Sequence, residues 1–126
     1  TALRFATGTP AALPAMLSQP GLDLVLEAGV EAIRRPSLAL TDRLLDWAEA
    51  HRVSTPTPRD PAKRGGIVTL RFAGDREVAA RLVERGFICS WRGGLRVAPH
   101  YYNTVAEVDR FLGELERLRG EVKGAC

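Results

Sequence analysis

Between Val53 and Gly66 the chain reads Val-Ser-Thr-Pro-Thr-Pro-Arg-Asp-Pro-Ala-Lys-Arg-Gly-Gly. Each proline withholds a backbone N–H and fixes φ, so neither a helix interior nor a central strand can run through this stretch. It predicts a loop, with at most a short extended piece at Val53-Ser54-Thr55. The chain is thereby divided into an upstream part of helical character and a downstream part that mixes strands with helices. The expected class is α+β: a helical N-terminal arm and linking helix over 1–52, the loop over 53–66, and a β-α-β-β-α unit over 67–122. A length of 126 residues supports one modest core and one domain.

Upstream, Thr9-Pro10 predicts a helix start, with threonine as N-cap and proline at the first helical position. That helix carries Ala12, Leu13, Met16 and Leu17 and is expected to stop near Gln19-Pro20. Gly21 opens a second piece with Leu22, Val25 and Leu26 on one side, ending near Gly29. A third segment runs from Val30 to about His51 with Ile33, Leu40, Leu44, Leu45 and Trp47. Pro36 inside it predicts a kink or a restart, with Ser37 as the cap.

Downstream, period-two alternation over Ile67–Phe72 predicts a strand with Val68, Leu70 and Phe72 on one face and Thr69 and Arg71 on the other. Asp75 is placed to cap a helix carrying Val78, Ala79, Leu82 and Val83, which Gly86 terminates. Phe87–Trp91 reads as a second strand, and Arg92-Gly93-Gly94 as a hairpin turn into a third over Leu95–Ala98. Thr104 and Glu107 form a capping box. The helix it opens sets Val105, Val108, Leu112 and Leu115 on one stripe, widened by Phe111 and Leu118. The helices cover one face of the small sheet. Arg96, between Leu95 and Val97, must then project from the other, because successive strand side chains alternate. A guanidinium so placed suits a carboxylate or phosphate.

The net charge of +3 comes almost entirely from arginine, since Lys63 and Lys123 are the only lysines. The arginines are interspersed with acids (Glu31 near Arg34, Glu77 near Arg81, Glu107 near Arg110, Glu114 near Arg117), the pattern of a mutually neutralising surface. A nucleic-acid binder calls for a one-sign stripe or interleaved aromatics, and neither is present. No apolar run approaches the roughly 20 residues of a membrane-spanning helix. Cys89 and Cys126 make no disulfide framework or metal spacing, which points to a reducing, cytoplasmic compartment.

Two motifs carry a resemblance. Leu95-Arg96-Val97-Ala98-Pro99-His100-Tyr101-Tyr102-Asn103-Thr104, followed by Glu107-Val108-Asp109-Arg110-Phe111-Leu112, resembles the C-terminal signature of the class V aminotransferase superfamily. Near the other end, Arg4-Phe5-Ala6-Thr7-Gly8-Thr9-Pro10 resembles that superfamily's Phe-x-x-Gly-Thr-Pro turn. These are fold-type I enzymes that use pyridoxal 5'-phosphate (PLP); kynureninases, cysteine desulfurases and isopenicillin-epimerase-like proteins are among them. The resemblance implies that Arg96 grips the α-carboxylate of an amino-acid substrate, that His100 lines the substrate pocket, and that Gly8 and Thr9 reach the PLP phosphate of a partner subunit in a homodimer.

Neither Lys63, in the loop, nor Lys123, in the tail, suits the Schiff base that such an enzyme needs. The resemblance therefore implies a large PLP-binding domain ahead of Thr1, with this chain as the small C-terminal domain, inactive when alone. Transamination, C–C cleavage and epimerisation remain open. Only six residues separate Cys89 from Arg96, which disfavours the longer cysteine-bearing loop of desulfurases and marks Cys89 as an inert thiol. Thr57-Pro58-Arg59-Asp60-Pro61 and Arg64-Gly65-Gly66 look kynureninase-like, whereas Pro99-His100-Tyr101-Tyr102-Asn103 and Pro36-Ser37 depart from that pattern. A free-standing α+β ligand-binding module and a structural dimerisation piece are the alternatives from other classes.

Overall fold

The computed structural model describes Gly8 and residues 11–124. The chain divides into two compact units, Thr1–Ile33 and Arg34–Cys126. Its elements run α1 (Ala12–Ala28), α2 (Val30–Ala50), a 3-10 turn (Pro61–Lys63), β1 (Val68–Leu70), α3 (Asp75–Glu84), β2 (Ser90–Trp91), β3 (Leu95–Val97) and α4 (Val105–Gly124). This is the expected α+β class, with a helical arm and a small sheet flanked by helices.

The first unit is dominated by α1. The expected cap at Thr9-Pro10 lies outside the described residues; the described helix begins at Ala12 behind Ala11, which makes no side-chain capping bond. The expected break at Pro20 does not occur. Proline's φ is compatible with a helix, so α1 passes through at the loss of one hydrogen bond. It ends as expected at Gly29, whose φ of 80° lets its N–H return to the Val25 carbonyl at 3.0 Å. No α1 side chain is buried, and Leu13, Met16, Leu17 and Leu26 are largely exposed.

In the second unit Pro36 likewise causes no restart: α2 is one helix, and Ser37 is not a cap. The Ser37 carbonyl instead accepts the Thr41 hydroxyl at 2.9 Å. The packed part of α2 is its C-terminal stretch, where Leu40, Leu44, Leu45, Trp47 and Ala48 are buried. It closes on Arg52, a non-glycine residue at φ 52°.

The sheet has the order β1-β3-β2, antiparallel throughout, with Val68 opposite Val97, Thr69 opposite Arg96 and Ser90 opposite Arg96. The regular strands are shorter than the alternation suggested, but the faces are as read. Val68, Leu70 and Leu95 are fully buried and Val97 nearly so. They join Val78 and Leu82 of α3 and Val108, Phe111, Leu112, Leu115 and Leu118 of α4 in one core. The extended piece at Ser54 pairs with Arg71, whose N–H donates to the Ser54 carbonyl at 2.8 Å.

Three local expectations, at Asp75, Val83 and Val105, are corrected. Gly74, at φ 79°, occupies the N-cap of α3, and Asp75 is its first residue; the Asp75 carboxylate accepts from Trp91 Nε1 at 2.7 Å instead. Val83 and Val105 are exposed, because each lies at the margin of its helix's apolar stripe. The Thr104–Glu107 capping box forms in both directions: the Thr104 N–H donates to Glu107 at 2.7 Å, and the Glu107 N–H to Thr104 Oγ1 at 3.2 Å.

Candidate functional site

Burial of Leu95 and Val97 forces Arg96 onto the opposite face of the sheet, where it is half-buried. The register sets Thr69 and Ser90 on either side of it. Alternation carries Arg71 and Arg92 to the same face. The turn between β2 and β3 makes this possible. Gly93 has φ 67° and Gly94 φ 154°, both costly for a side chain. A Cβ at Gly94 would come within 2.8 Å of Thr69 Cγ2 and 3.0 Å of both Arg71 Cγ and the Leu70 carbonyl oxygen. Arg71 Nε donates to the Gly93 carbonyl at 2.8 Å, tying the turn to β1.

The Pro/Gly-rich loop walls this face, a role that its composition did not reveal. A cavity of about 420 Å³ lies between them, lined by Thr57, Lys63, Arg71, Arg92 and Arg96 among others. The loop is well anchored. Thr57 Oγ1 accepts from the Thr69 N–H at 3.0 Å, and Arg34 Nη2 donates to the carbonyls of Pro61 at 2.6 Å and Arg64 at 2.9 Å. The Arg64 side chain is fully buried, bonded to Asp42 and to the Arg59 carbonyl. Its burial rests on contacts with α2 that no local motif announces.

The cavity contains no carboxylate. Among the described residues Arg71, Arg92 and Arg96 make no ion pair, whereas Arg43, Arg59, Arg64, Arg81, Arg85 and Arg117 each pair with an acid. Lys63 reaches Asp60 at 3.5 Å with both side chains well exposed. The result is a concave, positively charged patch with a fixed sheet floor.

His100 borders a different cavity, of similar volume, with Phe87, Ile88, Pro99, Tyr102 and Arg110. Its ring lies 4.2 Å from that of Tyr102 and 4.6 Å from that of Tyr101. Asn103 shapes this segment: its Oδ1 accepts from the His100 N–H at 2.8 Å, and its own N–H donates to the His100 carbonyl at 2.9 Å. Arg96 and His100 are thus not brought together in one pocket. Gly8 belongs to the first unit and is exposed, with open space where a Cβ would stand. Thr9 lies outside the described residues. Cys89 is half-buried, and desolvation pushes its thiol up, as expected for an inert cysteine.

Residues 33–115 match the model of the kynureninase C-terminal domain. The chain belongs to the kynureninase C-terminal domain family. Among the curated relatives of this family, the kynureninase of Koribacter versatilis is 37% identical over 117 residues, covering 84% of this chain and 28% of the relative. That of Myxococcus xanthus is 38% identical over 102 residues, covering 75% and 24%. That of Pseudomonas fluorescens is 33% identical over 93 residues, covering 71% and 22%. The chain therefore spans about a quarter of the length of these relatives. A similar solved structure is the apo cysteine desulfurase of Thermococcus onnurineus NA1, with a TM-score of 0.78 at 27% identity over 91% of this chain and 33% of that one. The kynureninase C-terminal domain thus has the same fold as a desulfurase's corresponding part, and the resemblance to fold-type I PLP-dependent enzymes holds at the level of the family.

Proposed function

We propose that this chain is the small C-terminal domain of a PLP-dependent enzyme acting on an amino acid, and that Arg96 binds the substrate's α-carboxylate. The observation that carries the reading is the half-buried Arg96, without an ion pair among the described residues, on the open sheet face of a chain in this family. A planar guanidinium on a short, doubly paired strand is held in direction as well as position, so a bidentate carboxylate pair fixes the orientation of the whole substrate. Positioning of this kind contributes to rate by converting lost rotational freedom into prior binding.

PLP, when bound, supplies an electron sink for charge developing on the substrate's α-carbon. The lysines here do not fit its attachment: Lys63 is exposed beside Asp60, and Lys123 is exposed at the end of α4. The attachment lysine is assigned to a large domain outside this sequence. Gly8-Thr9 remain the candidates for contacting the cofactor phosphate across a homodimer, and His100 for lining the substrate pocket. The relatives named above favour kynureninase-like hydrolytic C–C cleavage over transamination, and the half-buried Cys89 with its raised pKa disfavours desulfuration.

The test is spectroscopic titration of the full-length, PLP-loaded protein with a panel of amino acids that includes kynurenine and cysteine. A cofactor band shift with kynurenine that Arg96→Ala suppresses is expected. A response unchanged by that substitution removes Arg96 from the site.

A further inference from the structure

The charge on the open sheet face exceeds what one carboxylate requires. Arg71 and Arg92 share the face of Arg96, and Lys63 lines the same cavity of about 420 Å³ from the loop; Arg64 lines it too but is spent on Asp42, which leaves four cations and no acid in the lining. Like charges on neighbouring positions of a sheet face repel. Among the described residues Arg43, Arg59, Arg64, Arg81, Arg85 and Arg117 each pair with an acid, whereas Arg71, Arg92 and Arg96 do not, and Lys63 has only the exposed Asp60 at 3.5 Å. The four cations are not equivalent. Arg71 spends its Nε on the Gly93 carbonyl, and Arg96 is half-buried. Arg92, at the turn, and Lys63, on the 3-10 turn, are exposed. The hydroxyls of Thr57 and Thr69 lie nearby, and Thr57 Oγ1 is already engaged as an acceptor. The arrangement offers an anion one half-buried cation, Arg96, and two exposed ones, Arg92 and Lys63.

We propose that this cavity is a two-point anion site: Arg96 takes one carboxylate while Arg92 and Lys63 take a second anionic group, so that small dianions are selected over monoanions. The assignment of the first point to an amino-acid carboxylate rests on the reading in the previous section; the second point rests on the cavity's own charge. In the enzyme, free dicarboxylates would compete with a monocarboxylate substrate, and amino acids with an acidic side chain would be held at both ends. A charge-assisted second contact is expected to be worth about tenfold in affinity.

The test is nuclear magnetic resonance titration of the 126-residue chain with glutarate, butyrate and methyl phosphate at constant ionic strength, in the wild type, Arg92→Ala and Arg96→Ala. Glutarate is expected to bind about tenfold more tightly than butyrate, with shifts confined to residues 56–71 and 90–97. Arg92→Ala should abolish the preference without weakening butyrate, and Arg96→Ala should weaken both. Equal affinities, or a preference that survives Arg92→Ala, overturn the proposal. Methyl phosphate binding more tightly than glutarate, in an Arg92- and Arg96-dependent way, keeps the dianion site and makes phosphate its better ligand. Binding of methyl phosphate insensitive to both substitutions marks a diffuse charge effect and overturns it. These measurements need no cofactor, so a full-length protein that fails to take up PLP would leave them standing. Loss of glutarate selectivity with an intact Arg96-dependent cofactor response would remove the second point alone.

Discussion

Replacing Gly94 with alanine tests how the sheet holds the Arg96 face open. Gly94 is buried at φ 154°, and an added Cβ meets Thr69 Cγ2 at 2.8 Å and both Arg71 Cγ and the Leu70 carbonyl oxygen at 3.0 Å. The backbone conformation costs a side chain about 1–3 kcal/mol. Crowding adds about 1–3 kcal/mol, moderated because the Thr69 and Arg71 side chains can retreat while the Leu70 carbonyl is fixed in the sheet. The sum is about 2–6 kcal/mol, a large part of the roughly 5–15 kcal/mol that holds a domain folded. With a urea slope of about 2 kcal/mol/M, the unfolding midpoint should fall by roughly 1–3 M. Equilibrium urea unfolding followed by circular dichroism and by fluorescence of the buried Trp47 gives the value. The control is Gly113→Ala, the same chemical change on the exposed side of α4 with nothing within 4 Å. It should raise stability by about 0.5–1 kcal/mol. If Gly94→Ala matches Gly113→Ala, the close approach of the turn to β1 is not what fixes this face.

Arg52 holds φ 52° at the end of α2, so Arg52→Gly should stabilise by about 1 kcal/mol, read as a higher urea midpoint. Asp42→Ala strips the buried Arg64 of its carboxylate; because Asp42 is itself about half exposed and the Arg59 carbonyl remains, about 2 kcal/mol should be lost rather than the larger penalty of a fully buried pair. The Thr104 N–H, with Asn103 behind it, holds the Glu107 carboxyl below its ordinary range. A depressed folded pKa means that the capping contribution is present above the unfolded value and fades as pH falls through the folded one. Stability measured from pH 7 downward should therefore fall less steeply below the ordinary carboxylate range in Glu107→Gln than in the wild type.

Much of this was legible in the sequence where one residue settles a local choice. Leu95-Arg96-Val97 declares its two faces through alternation alone, and the structure follows it. Thr104 and Glu107 satisfy each other's N–H groups, and Gly86 and Gly93-Gly94 take the positive φ that their turns require. The failures lie where a local rule has a competitor. Pro20 and Pro36 cost one helical hydrogen bond each, and a helix can bear that loss. At α3, Gly74 supplies the turn into the helix, leaving Asp75 for Trp91. The loop over 53–66 was read correctly as irregular, but its role as a cavity wall depends on Arg34, Asp42 and Thr69, distant in sequence. Separation of His100 from Arg96 into different cavities was equally invisible, since four residues along a chain fix no common pocket once Pro99 turns it.

The central claim, that Arg96 reads a substrate carboxylate, is tested most directly by a double comparison in the full-length PLP-loaded protein. Kynurenine and its methyl ester would be compared as substrates of the wild type and of Arg96→Ala, with kcat/KM as the readout. Truncating one partner of a buried, hydrogen-bonded charge pair costs about 2–5 kcal/mol, so the wild type should favour the free carboxylate by about a hundredfold and the variant should scarcely distinguish the two. A variant that keeps the full preference for the carboxylate would contradict the account.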